Sequence, residues 1–237
     1  MLLKSKIASF APYSPEWYSS RLGRLTGSKI GCLMASKGIG DGGMTYIRNK
    51  VGELFTKKSS DREIDTAAIQ WGRDNEPIAL QEFKNVYKIP LDLMIKCSTI
   101  IEDNIFSVTP DALIPKSETL VESTDKLAWH VEPIEVKCLP VYANHLELVE
   151  CQTPKDLLDC SPLKFWQVIS QMQFTNSLRG HFVAFHPHFK NRLRIHHILF
   201  KKIELSDYIK TFNQRILQAT TIYNEKKAFY ETKNIPI

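Results

Sequence analysis

Ile134-Glu135-Val136-Lys137-Cys138 is the stretch of this 237-residue chain whose reading decides the fold. Side chains alternate along an extended backbone, so Glu135 and Lys137 project to one side and Ile134, Val136 and Cys138 to the other. The apolar side suits a core; a face bearing a carboxylate and an ammonium is costly to bury. The strand extends back to His130. Upstream, Leu93, Ile95, Cys97, Thr99 and Ile101 alternate with Met94, Lys96 and Ser98 as one strand, and residues 106–108 form another that resumes after Pro110. The polar run 116–126 is an exposed loop or hairpin tip. Downstream, Ser161-Pro162 opens a helix to about Leu178. Strands follow at 181–185 and 193–200. A closing helix from about Ser206 carries the apolar stripe Ile209, Phe212, Ile216, Ala219 and Tyr223, expected to pack on the sheet.

Ahead of the strands the pattern is helical. Ser14-Pro15 starts a short helix, Thr26-Gly27-Ser28 caps a second through Met34, and residues 38–43 form a flexible loop. Residues 44–57 and about 67–87 follow as helices, the latter with Ala79, Phe83 and Val86 or Tyr87 spaced three and four apart. Pro77 either opens or kinks that helix. The whole reads as an α/β fold, a central mixed sheet flanked by helices. One domain is expected over 1–237: a helical part to about 90, a sheet core over about 91–200 and a helix over about 205–232.

Composition narrows the classes. With 43% hydrophobic and 24% charged residues the chain is an ordinary globular one. Its apolar runs fall far short of a membrane span, and no secretory leader is evident, so a soluble cytoplasmic protein is expected, in a host cell if phage-encoded. Five cysteines without a CxxC pair fit a reducing compartment. A net charge of +5 suits a polyanionic partner without requiring one. The acid-free run Lys190–Lys202 is as consistent with a solvated strand face as with a track for phosphates.

Glu-x-Lys alone is a weak signal, since an exposed pair of this kind contributes little stability. The preceding strand unit changes its weight. Thr109-Pro110-Asp111 followed by Glu135-Val136-Lys137 is the pattern of the PD-(D/E)xK nucleases. Asp111, Glu135 and the backbone carbonyl of Val136 supply the oxygen donors that a hard cation such as Mg²⁺ needs. Lys137 can orient a water and offset charge on a phosphate, since an ammonium only donates. Glu76, in Trp71-Gly72-Arg73-Asp74-Asn75-Glu76-Pro77, is a further acid at a helix start or proline kink, although helix dipoles favour acids in first turns anyway.

The ordered motifs Glu16 to Ser28 (EWYSSRLGRLTGS), Trp71 to Glu76 (WGRDNE), Thr109 to Leu113 (TPDAL), Glu135 to Cys138 (EVKC) and Ser170 to Gln173 (SQMQ) resemble those of lambda exonuclease and the YqaJ-like viral recombinases. The resemblance covers residues 16 to about 185. It implies a restriction-endonuclease-like core and a processive 5′→3′ exonuclease on duplex DNA ends, using Mg²⁺ with Mn²⁺ as a substitute, in phage-type recombination. It further implies Glu76, Asp111 and Glu135 as metal-binding acids, Lys137 as the catalytic lysine and Gln171 as a glutamine beside the site. Arg21 matches an arginine that receives the 5′-phosphate, with Ser28 nearby. A helix N-terminus and a bidentate guanidinium make that plausible, although a plain cap and a surface arginine explain the two residues locally. Gln167 and Gln171 share a helix face that solvent would equally explain. A ring-shaped homotrimer and a single-strand annealing partner are implied as well.

This chain departs from the family pattern at Ala112, where glycine is usual, and at Leu139, which precedes Pro140. Asp103 occupies the place of another acid but falls in the turn Glu102-Asp103-Asn104. Cys151 and Cys160 lack iron–sulfur spacing, and the histidines at 186, 188, 196 and 197 have no nearby acids to suggest zinc. Two rival readings stay open: an endonuclease of site or structure specificity, and a non-catalytic DNA-binding recombination accessory protein.

Overall fold

The computed structural model describes residues 5–8, 10, 14–60, 66–88, 95–96, 99–115 and 131–234. In order, the chain forms β1 (Ser5–Ala8), α1 (Pro15–Arg21), β2 (Leu25–Thr26), a 3₁₀ helix (Gly27–Leu33), α2 (Asp41–Thr56) and α3 (Ala67–Tyr87). Four strands follow, β3 (Ile95–Lys96), β4 (Thr99–Glu102), β5 (Phe106–Val108) and β6 (Ala112–Pro115), then β7 (Val131–Cys138). The remainder is α4 (Tyr142–Glu150), α5 (Pro154–Cys160), α6 (Pro162–Phe174), β8 (Arg179–Phe185), β9 (Ile195–Lys201) and α7 (Ser206–Glu231). Among the described residues no helix is long and apolar enough to cross a membrane.

Two sheets result, a four-stranded one in the order β1-β4-β5-β2 and a five-stranded one in the order β3-β6-β7-β8-β9. Both are mixed, because β7 runs parallel to β8 and β2 parallel to β5 while the other pairs are antiparallel. The long alternating strand expected over residues 93–101 is instead divided. β3 pairs with β6 and β4 with β5, so the two halves serve different sheets; residues 93, 94, 97 and 98 lie outside those described, as does the expected loop 116–126.

β7 is the central strand, and its alternation sorts the core into two layers. Ile134, Val136 and Cys138 pack with Ala79, Leu80 and Phe83 of α3. On the other side, Glu135 and Lys137 stand in register with Phe182 and Ala184 of β8, whose side chains join Phe165, Val168 and Ile169 of α6. Each fully buried Phe of this layer contributes on the order of 1.5–3 kcal/mol through area removed from water.

Local signals placed most helices. Ser14 caps α1 by accepting from the Trp17 amide at 3.1 Å, with Pro15 in its first turn. Pro77 lies inside α3 rather than opening it. That helix surfaces in its last turn, where Val86 and Tyr87 are exposed and Leu80 takes the buried place. The loop expected to reach Gly43 ends earlier. α2 begins at Asp41 because Gly43, lacking Cβ, lets the helix approach the Cys32 carbonyl; an added Cβ would meet that oxygen at 2.8 Å. α6 stops at Phe174, short of Leu178: Thr175 Oγ1 turns back to the Gln171 carbonyl at 2.7 Å and Asn176 adopts φ 50°. α4 and α5 were not anticipated, although Thr153 and Asp156 form a capping box at the start of α5. The α7 stripe is buried as expected, but against α2 and α6 rather than the sheet; Phe212 packs on Trp166 and Phe174 of α6.

Candidate active site

The site is built at the C-terminal end of β7, where β6 has not yet begun. Asp111 immediately precedes β6, and its amide donates to the Ile134 carbonyl at 2.9 Å. Its Oδ2 accepts from the Val136 amide at 2.6 Å. A strand residue points its N–H and C=O toward the same neighbour. The Val136 carbonyl therefore faces the same gap as its amide, beside Asp111, and Val136 lines the cavity there.

Glu135 is 1% exposed, against the expectation that its face could not be cheaply buried. The reason is that both carboxylate oxygens have donors. Lys137 Nζ bonds to Oε1, and Gln171 Nε2 donates to Oε2 at 2.5 Å. Gln171, also 1% exposed, thus points into the protein rather than to solvent. It comes from the α6 face that covers β7. Its own Oε1 is buried with no hydrogen-bond partner among the described residues, an acceptor left over in the site wall.

Electrostatics follow from this crowding. Burial, then the negative charges of Glu135 and Glu76, raise the Asp111 carboxyl well above the usual carboxylate range. Burial alone would lower the Lys137 pKa, but Glu135, Asp111 and Glu76 outweigh it and hold the ammonium protonated beyond its ordinary value. The Cys138 thiol is pushed up to about 12 by burial and by Glu76 and Asp111, so it stays neutral at the rim.

A cavity of about 350 Å³ opens over these groups. Asp111, Glu135, Val136 and Lys137 line it. Glu76 enters from α3, Gln171 from α6, Arg21 from α1 and Ser28 from the 3₁₀ helix. The residues that the sequence assigned to the site, Arg21, Ser28, Glu76, Asp111, Glu135, Val136, Lys137 and Gln171, therefore line one cavity. Of Thr26-Gly27-Ser28, Thr26 takes the cap position, and Ser28 lies in the first turn as expected, the exposed second residue of the 3₁₀ helix. Asp103 lies in the β4–β5 turn at φ 44° and does not line the cavity. Nor is the basic run 190–202 a continuous track, because Arg194 is bound to Glu82 at 2.7 Å and Lys201 to Glu204 at 2.8 Å.

Three further lining residues were missed or passed over: Trp17, Arg73 and Gln167. The signal for them is helical spacing. Arg73 is three residues before Glu76, Gln167 four before Gln171, and Trp17 four before Arg21, whose guanidinium carbon sits 4.4 Å from the Trp17 ring centroid.

The donor set suits a hard divalent cation. Carboxylates and a carbonyl are oxygen ligands, and Asp111, Glu135 and Glu76 line one cavity there. Among the described residues no three acidic, histidine or cysteine side chains already converge as a ready cage. Mg²⁺ does not need one, since it is held by one or two carboxylates and keeps waters.

A model of the YqaJ-like viral recombinase domain matches residues 16–177. No functionally curated protein matches the sequence. Among solved structures, an alkaline exonuclease (LHK-Exo) from Laribacter hongkongensis is similar with a TM-score of 0.65 at 17% identity, covering 92% of this chain and 99% of the other. The same enzyme in complex with dAMP matches with a TM-score of 0.66. A phage-related exonuclease from Haemophilus somnus 129PT has a TM-score of 0.60 at 11% identity, covering 88% and 96%. The fold is thus the one that these solved exonuclease structures share.

Proposed function

From the premise that this chain belongs to the YqaJ-like viral recombinase family, we propose that it is a metal-dependent deoxyribonuclease degrading one strand of duplex DNA from its ends, 5′→3′, with a 5′-phosphate preferred. The observation that carries the proposal is the bonded row Gln171–Glu135–Lys137 at the end of β7, with Asp111 and Glu76 facing the same cavity.

Asp111, Glu135 and the Val136 carbonyl, with Glu76 above them, would hold Mg²⁺ or Mn²⁺. When bound, such a cation lowers the pKa of a coordinated water and neutralises charge on the phosphate under attack. The protein's own groups do the rest. Lys137 stays protonated and places its N–H donors where charge gathers on the phosphoryl oxygens. Gln171 orients Glu135 through Nε2. Arg21, backed by the Trp17 ring, and Ser28 line the same cavity and would grip a terminal phosphate.

Arg21 and Ser28 lining the same cavity as Asp111, Glu135 and Lys137 favour a terminal phosphate beside the scissile one, and so the exonuclease over the endonuclease reading. The test is digestion of linear duplex with Mg²⁺, comparing 5′-phosphorylated ends, 5′-hydroxyl ends and closed circles, with Glu135→Ala as control. Stepwise loss from the phosphorylated strand with circles spared is expected. Cutting of circles would replace the proposal with an endonuclease, and inactivity under both Mg²⁺ and Mn²⁺ with a binding protein of recombination. Family membership also leads us to expect a ring-shaped homotrimer and a single-strand annealing partner; light scattering that finds only monomer, with and without DNA, would remove the ring.

A further inference from the structure

α2 carries three buried polar side chains on one face, Tyr46, Lys50 and Glu53, spaced four and three residues apart. A helix face turned to the interior is normally apolar, and a buried hydroxyl, ammonium and carboxylate are costly unless each is paired. Lys50 pairs with Glu53, and Tyr46 and Glu53 reach a strap of residues 23–28, which runs from the end of α1 into the first turn of the 3₁₀ helix. Glu53 Oε2 accepts from the Gly23 amide at 2.8 Å, while its Oε1 accepts from Lys50 Nζ at 2.9 Å and from the Ser60 amide and hydroxyl at 2.8 and 2.7 Å. Tyr46 Oη accepts from the Thr26 amide at 2.6 Å and lies 3.1 Å from Thr26 Oγ1, which is 3.4 Å from Ser28 Oγ. From α7, Tyr223 donates its hydroxyl to the Gly23 carbonyl at 2.6 Å. Side chains therefore hold both backbone polar groups of Gly23. This residue must be glycine: its φ is +72°, and a Cβ would meet Leu54 Cδ2 at 2.3 Å.

We propose that Tyr46, Lys50 and Glu53, with Tyr223, are positioning residues that set the separation of Arg21 from Ser28 and so decide how strongly a terminal phosphate is preferred. The inference rests on the reading of Arg21 and Ser28 as the 5′-phosphate grip. None of the four lines the cavity; they act through the strap, which Arg21 precedes by two residues and which Ser28 ends. Directional hydrogen bonds suit this task better than an apolar stripe, because hydrophobic contact does not fix the placement of individual backbone groups. A phosphate grip loses much of its value when a donor shifts by about 1 Å.

Tyr46→Phe removes one hydroxyl and keeps the ring; Glu53→Gln removes charge and keeps the shape. Both are tested in the full chain, each with thermal unfolding recorded. Fluorescence anisotropy without divalent metal gives the affinity ratio for hairpin duplexes with 5′-phosphate and 5′-hydroxyl ends, and Mg²⁺ kinetics give KM and kcat on both. The ratio is expected to fall on the order of tenfold, as for one weakened charge-assisted hydrogen bond, with KM for the phosphorylated end rising and kcat changing little. Should Glu53→Gln fail to fold, Tyr46→Phe carries the test. A wild-type ratio of one would sink this inference together with the terminal-phosphate reading. A wild-type preference that both variants retain, or equal weakening toward both ends, would sink the inference alone.

Discussion

Lys137 and Gln171 both turn to Glu135, yet their replacement should have different consequences. Lys137 is held protonated by three acids, and its side chain keeps 26% of its surface open to the cavity. It is thus placed to meet charge that develops on the phosphate rather than to hold the duplex. Lys137→Ala is expected to lower single-turnover cleavage by about 10²-fold or more while duplex binding, followed by anisotropy, changes little. Equal loss of both would place the lysine in binding instead. Gln171 is a structural donor as well as a lining residue. Gln171→Met leaves Glu135 Oε2, inside the protein, without its 2.5 Å partner, and should destabilise the fold by about 1–3 kcal/mol in urea unfolding.

At the scale of elements, α3 shows stability set against placement. Pro77 sits inside the helix directly after Glu76, donates no backbone hydrogen bond and clashes with the carbonyl four residues back. Interior proline costs a helix about 3 kcal/mol relative to alanine. Pro77→Ala should therefore raise the unfolding temperature while reducing cleavage, because restoring the missing backbone hydrogen bond would reset the turn that carries Glu76. Unchanged activity with raised stability would show that the proline does not aim the acid. The same helix ends over a histidine pair, and that pair decides behaviour on a larger scale.

For the molecule as a whole, the five-stranded sheet carries a polar row beneath α3. His181 Nε2 lies 3.0 Å from Glu132 on β7, and His181 Nδ1 lies 2.9 Å from His197 Nε2 on β9. Phe83 and Tyr87 cover His197 edge-on. Burial, then His181 and His196, lower the His197 pKa from 6.5 to about 3. The unfolded chain therefore takes up this proton first as pH falls. Stability contributed by the neutral ring is complete above about pH 6.5 and is lost progressively toward pH 3. Urea midpoints should drop between pH 7 and pH 5, and the drop should shrink in His197→Asn; an unaltered pH slope in that variant would place the titration elsewhere.

What the sequence by itself determined were local conformations and the types of group available for chemistry. Period-two alternation around Glu135, the Ser14-Pro15 start of α1 and the α7 stripe depend on neighbours within a few residues, and all three are present. Motif order was likewise enough to name the acids, lysine, glutamine, arginine and serine that meet in the cavity. Tertiary structure alone decided which elements adjoin. Alternation over 93–101 says extended, not which sheet, so the division between β3 and β4 was invisible. The burial of Glu135 depends on a donor 36 residues away, and that of Glu53 on the Gly23 amide 30 residues away, separations that no local pattern reports. An amphipathic stripe announces that a partner exists; its identity comes from packing across the chain, as when α7 met α2 and α6 instead of the sheet.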